Sequence, residues 1–138
     1  GHNYEFEQIR TYVRGDDIRS INWKTTGKWR NVMVNQFQDE RSQHVYAIID
    51  KSRSMELRFN GMRYLDYAIN SALAMTNIAL KKYDKAGLIT FSDKIGASIR
   101  AERSKIQMRR ILEQLYREKP SEKEADYDLL MRLVRKML

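Results

Sequence analysis

The run His44–Asp50, HVYAIID, is apolar on both faces and rich in β-branched side chains. A strand with one face in water alternates polar and apolar residues. A strand that does not alternate must be covered above and below, as happens when crossover helices flank a parallel sheet. This run therefore demands helices on both of its faces, and the rest of the chain supplies them.

Asn60-Gly61 introduces a helix from Met62 to about Lys82, with Met62, Leu65, Ile69, Ala72, Leu73, Thr76, Ala79 and Leu80 on one stripe. Its alanines are small enough for close approach to a sheet. Asp84 and Gly87 mark the turn into a second buried strand, Leu88–Phe91, and Ile95–Arg100 can pair with it as a hairpin across Ser92-Asp93-Lys94. Ser104 with Gln107 has capping-box spacing ahead of a helix with Met108, Ile111, Leu112 and Leu115 on its apolar face; Pro120 closes it. Ser121 with Glu124 repeats the spacing ahead of a third helix carrying Tyr127, Leu130, Leu133, Val134 and Met137. Upstream, Asn31–Phe37 alternates as a strand whose Asn35 and Gln36 suggest an exposed or edge position. The pattern is that of an α/β, three-layer domain with right-handed crossovers.

At 138 residues the chain can bury one core. The absence of cysteine excludes a disulfide framework, an iron–sulfur cluster and a thiolate zinc site. His2 and His44 are too far apart for a short metal-binding spacing. No apolar stretch approaches the roughly 20 residues of a membrane helix, and no signal-peptide pattern opens the chain. These features suggest a cytoplasmic domain, or the cytoplasmic part of a larger or membrane-anchored protein, since the chain starts at Gly1 and stops at Leu138 inside an apparent helix.

The net charge is +8, from 26 basic and 18 acidic residues. A nucleic-acid-binding surface needs that charge gathered on a stripe, yet the excess is +2 over residues 1–60, +2 over 61–99 and +4 over 100–138. The densest groups, Arg100, Arg103, Lys105, Arg109 and Arg110, then Arg132, Arg135 and Lys136, stand beside Glu102, Glu113 and Asp128 and read as solvated helix faces, with a basic nucleic-acid- or anion-binding domain as the alternative.

Ligands of an open α/β sheet bind at the carboxyl ends of its strands, and the polar cluster there is D-K-S-R-S-M, residues 50–55. Asp50, Ser52 and Ser54 can converge as hard oxygen donors suited to Mg²⁺ or Mn²⁺. The bland reading is a loop whose Ser and Asp merely cap the start of a helix. A phosphotransfer site of the haloacid-dehalogenase kind needs a second aspartate where Ser52 stands. A serine nucleophile needs a histidine base, and His44 lies at the far end of the strand. A phosphoester hydrolase using Asp50 would need a base, for which Asp93 and Asp126 are the candidates.

These residues resemble the metal-ion-dependent adhesion site of von Willebrand factor A domains, D-x-S-x-S after the first strand. Upstream, Glu5 to Lys24 (EFEQIRTYVRGDDIRSINWK), then Val34-Asn35-Gln36-Phe37 and Glu40, resembles the bacterial domain-of-unknown-function family 58. The resemblance covers residues 5 to about 134. It implies a von Willebrand factor A-like, Rossmann-type sheet with helices on both faces. An N-terminal extension would span residues 1–43, with the family motif and one strand, and a partial A-like domain residues 44–138, truncated at its C-terminus. It also implies a non-enzymatic protein-interaction module, often encoded beside MoxR-type AAA+ ATPases, with Asp50, Ser52 and Ser54 on the metal and a partner's acid completing the shell. Where the A-domain pattern adds a Thr, this chain has Ala125 followed by Asp126; Asp93 and Asp126 are the further metal-ligand candidates.

Arg14-Gly15-Asp16-Asp17 reads as a tight turn rather than an integrin ligand, and Trp23 and Trp29 as core plugs. Because the family's next strand would follow Leu138, the first buried strand is left with an exposed apolar edge, favouring self-association, unless Asn31–Phe37 fills the slot.

Overall fold

The computed structural model describes residues 21–25, 32–37 and 43–137, and in it the run His44–Asp50 is the middle strand of a five-stranded sheet, buried from Val45 onward. The strands of that sheet are β1 (Ile21–Thr25), β2 (Val32–Phe37), β3 (His44–Asp50), β6 (Lys85–Phe91) and β7 (Ile95–Glu102), ordered β1-β2-β3-β6-β7. A separate two-stranded hairpin joins β4 (Arg58–Phe59) to β5 (Met62–Arg63). The described helices are α1 (Tyr64–Lys81), α2 (Gln107–Tyr116) and α3 (Tyr127–Met137).

Alternation along β3 divides the core in two. Val45, Ala47 and Ile49 pack with Leu65, Ala68 and Ala72 of α1 and with Ile111 and Leu115 of α2. Tyr46 and Ile48 join Ile89 and Phe91 of β6 and Leu130, Met131 and Val134 of α3 on the other face. Burial on both faces thus follows from the sequence run, and the chain is a mixed α/β protein. The sheet is mixed rather than parallel: β3 and β6 are its parallel pair, and the other pairings are antiparallel.

The exposed-edge expectation fails on register. β2 pairs antiparallel with β3 from Val32↔Ile49 to Phe37↔His44, so the chain itself covers that edge, and β1 in turn pairs with β2. Self-association through an open β3 edge loses its premise. The described residues of 1–43 include two strands of the sheet, β1 in addition to the expected one. The Arg14–Asp17 turn, Trp29, Glu40 and the part of the upstream motif before Ile21 lie outside the described residues, as does the side chain of Trp23.

Three local expectations are corrected. Asn60-Gly61 does not open the long helix. With φ of 52° and 83° the pair forms the two-residue turn between β4 and β5, a turn that demands left-handed backbone at both positions. Met62 therefore lies in β5, and α1 starts at Tyr64, where the Asp66 carboxylate accepts hydrogen bonds from the Arg63 backbone N–H (3.0 Å) and guanidinium (3.0 and 3.2 Å). Ser104 and Gln107 form no capping box, because Gln107 is fully buried and its Nε2 donates to the carbonyls of Ala86 (2.7 Å) and Arg100 (2.9 Å). The cap of α3 is Asp126, whose carboxylate accepts the Leu129 N–H (3.0 Å), while Ser121 Oγ accepts the Lys123 N–H (3.0 Å).

The β6–β7 pairing contains two register shifts, one between Ala86 and Leu88 and one between Ile89 and Phe91. Each leaves two residues of β7 opposite one of β6, which removes a ladder partner. Side-chain hydroxyls replace it: Tyr46 Oη accepts the Ala101 N–H (2.9 Å) and Thr90 Oγ1 accepts the Ala97 N–H (2.8 Å). Tyr46 reaches Ala101 across Gly87, where an added Cβ would stand 2.5 Å from the Ile99 carbonyl oxygen, 2.6 Å from the Tyr46 ring and 2.8 Å from the Ala101 nitrogen.

Gly87→Ala should therefore lower stability by about 1–3 kcal/mol, as overpacking against backbone does. Tyr46→Phe should cost about 1–3 kcal/mol by stranding a buried N–H; urea unfolding measures both. Asp66→Asn should remove stability at neutral pH and flatten the acid limb. Hydrogen bonding from Arg63 holds the Asp66 carboxyl below its usual value, so its contribution is present above about pH 4 and lost as pH falls through the lowered pKa. Thermal melts between pH 2 and 7 check the sign.

Candidate functional site

β3 ends at Asp50 and the chain turns at once into a single 3₁₀ turn, Arg53–Glu56, anchored by the fully buried Met55. Asp50 is buried. Its Oδ1 accepts the Ser52 N–H at 2.7 Å, which folds the loop back on the strand end. Its Oδ2 accepts a hydrogen bond from the Tyr127 hydroxyl at 3.0 Å, and the Tyr127 ring meets Phe91 edge-on with centroids 5.3 Å apart. Ser52 is buried and Ser54 exposed, and their hydroxyl oxygens lie 3.4 Å apart. Asp50, Ser52 and Ser54 thus share the carboxyl end of β3, with the two hydroxyls in hydrogen-bond range of each other.

Backbone bonds fix the loop on both sides. The Lys51 N–H donates to the Phe91 carbonyl (2.8 Å), the Lys51 carbonyl accepts from Ser121 (2.7 Å), and the Arg53 N–H donates to Lys123 (2.9 Å). The loop Asp50–Met55 is therefore tied to β6 and to the α2–α3 connection.

Asp93 and Asp126 play other parts. Asp93 Oδ1 accepts from Ser92 Oγ (3.1 Å), and Asp126 is the α3 cap, its own N–H donating to the Ser92 carbonyl (2.9 Å). Among the described residues no three carboxylate, imidazole or thiol side chains gather as a metal centre.

Two groups escaped the sequence reading. Tyr127 was one position of an apolar stripe, yet its hydroxyl faces Asp50 from 77 residues away. Burial first, then the neighbouring Asp50 charge, pushes its phenol above the usual tyrosine value, so it remains a proton donor. Glu118 is the second. Its carboxylate is buried and held by Lys51 Nζ (2.9 Å) and Gln114 Nε2 (2.8 Å). The spacing Gln114–Glu118 is a helical i, i+4 pair, but nothing local ties it to Lys51.

A hard cation suits this donor set. Each Asp50 oxygen accepts one hydrogen bond and keeps a second lone pair, so a cation at Oδ2 would share that oxygen with the Tyr127 hydroxyl and compete with it for the carboxylate's charge. The group facing Asp50 is a protonated phenol, while Asp126 caps α3 and Asp93 accepts from Ser92.

The family described as "Protein of unknown function DUF58" matches residues 8–137, and the chain belongs to it. No curated protein and no solved structure matches the chain.

Lys51→Met should destabilise the fold by about 3 kcal/mol, because it leaves a buried carboxylate without its cation. Glu118→Gln should cost less, since the amide keeps the Gln114 contact. Equal losses in chemical denaturation would count against the ion pair as the reason for Lys51.

Proposed function

We propose that this member of the DUF58 family is a non-enzymatic protein-interaction module that presents the Asp50–Ser54 loop to another protein, in the manner of a von Willebrand factor A-like domain. The observation that carries the reading is the convergence of Asp50, Ser52 and Ser54 at the carboxyl end of the central strand, with hydroxyls 3.4 Å apart. Asp50, Ser52 and Ser54 would hold Mg²⁺ or Mn²⁺, and a carboxylate of the partner would complete the shell. The partner implied by the resemblance is a MoxR-type AAA+ ATPase. No described helix is long and apolar enough to cross a membrane. Tyr127 supports a regulated form of the site: its hydrogen bond to Asp50 stabilises the loop without metal and competes with a cation for the same oxygen.

Calorimetric titration of Mn²⁺ tests this. Binding should be abolished in Asp50→Ala and strengthened in Tyr127→Phe, which removes the competing donor. Absence of binding in both the wild-type chain and Tyr127→Phe would remove the metal role.

A further inference from the structure

At the opposite end of the sheet from Asp50 lies a cavity of about 620 Å³, lined by His44, Tyr46, Lys85, Ser98, Arg100, Ala101, Lys136 and Met137. We propose that it binds a small phosphate-bearing anion.

Charge selects the ligand class. Lys85, Arg100 and Lys136 contribute three cations to the wall, and among the described residues no carboxylate lines it. Among the described residues none of these three takes part in an ion pair. Glu102, the acid that acts on the neighbouring Tyr46, is paired with Arg110 at 3.7 Å and is not part of the lining. Like charges converging on one concavity repel unless an anion sits between them.

The ordinary reason for a basic residue here accounts for only one of the three. Lys136 lies in the last turn of α3, where a cation complements the carbonyl end of the helix dipole. Lys85 opens β6 and Arg100 sits at the first bulge of β7, and neither has such a dipole to answer. The bulge is also what aims this part of β7, and it is held from three directions. Tyr46 Oη accepts the Ala101 N–H, Gln107 Nε2 donates to the Arg100 carbonyl, and Gly87 admits the Tyr46 ring. This network fixes the backbone on both sides of Arg100 and so sets where its side chain leaves the strand; the guanidinium at its end is the fork that matches phosphate oxygens.

The cavity is larger than inorganic phosphate requires and falls in the range of small-molecule sites. Its chemistry fits free phosphate or a phosphorylated small molecule.

The test is calorimetry of the full chain at low ionic strength with inorganic phosphate, pyrophosphate and adenosine monophosphate as separate probes. Arg100→Gln and Lys85→Gln should each weaken binding about tenfold, as loss of a charge-assisted contact does. Lys81→Gln removes an exposed charge outside the cavity and should change binding less than twofold; circular dichroism melts confirm that each variant folds. Adenosine monophosphate binding more tightly than phosphate supports an organic phosphate, and equal binding supports the free oxyanion. No binding of any probe at 10 mM, or an equal loss in Lys81→Gln, overturns the proposal.

Discussion

The structure depends on the double burial of β3. A strand covered by helices on both faces and paired along both edges has no free surface except at its ends, so whatever the sheet does chemically must happen there. The two ends differ in kind. At Asp50 the chain leaves the strand into a loop with one buried carboxylate and two hydroxyls, tied down by backbone bonds. At His44 the strand emerges beside Lys85 and Arg100, whose charges come from neighbouring strands. Polarity along the strand axis separates an oxygen-donor end from a cationic end within a single small sheet.

What the sequence disclosed is what periodicity can encode. The run His44–Asp50 announced its own burial, the stripes Leu65–Ala79 and Leu130–Val134 announced the covering helices, and the polar residues after Asp50 announced a loop at the strand's carboxyl end. Turn chemistry at Asn60-Gly61 was legible in principle, since that pair is the strongest two-residue hairpin signal, but a helical stripe starting at Met62 outweighed it. Gln107 at capping distance from Ser104 was misleading for a different reason. A buried amide within reach of two strand carbonyls gains more from them than from a solvent-facing cap.

The remainder was illegible because it is non-local. Tyr46 and Ala101 are 55 residues apart, Lys51 and Glu118 are 67, and Tyr127 and Asp50 are 77. Each contact exists because the sheet order brings distant strands and helix ends together, and the bulges that call for two of the hydroxyls arise only after β6 and β7 have paired. The placement of β2 against β3 was open for the same reason: an alternating segment shows which face it buries, not which neighbour it chooses.

Consecutive residues of the Asp50 loop are gripped by different layers of the protein. Asp50 is held by the first residue of α3, whereas Lys51 is held by a carboxylate just past α2. The loop is in effect the pin of a hinge whose two leaves are the helical coverings of opposite sheet faces. Any force that lifts the loop is shared between both leaves, and any shift of either helix is felt at Ser52 and Ser54 within a few bonds. The position that a D-x-S-x-S signature leaves unspecified, occupied here by Lys51, is thus a mechanical joint rather than a spacer.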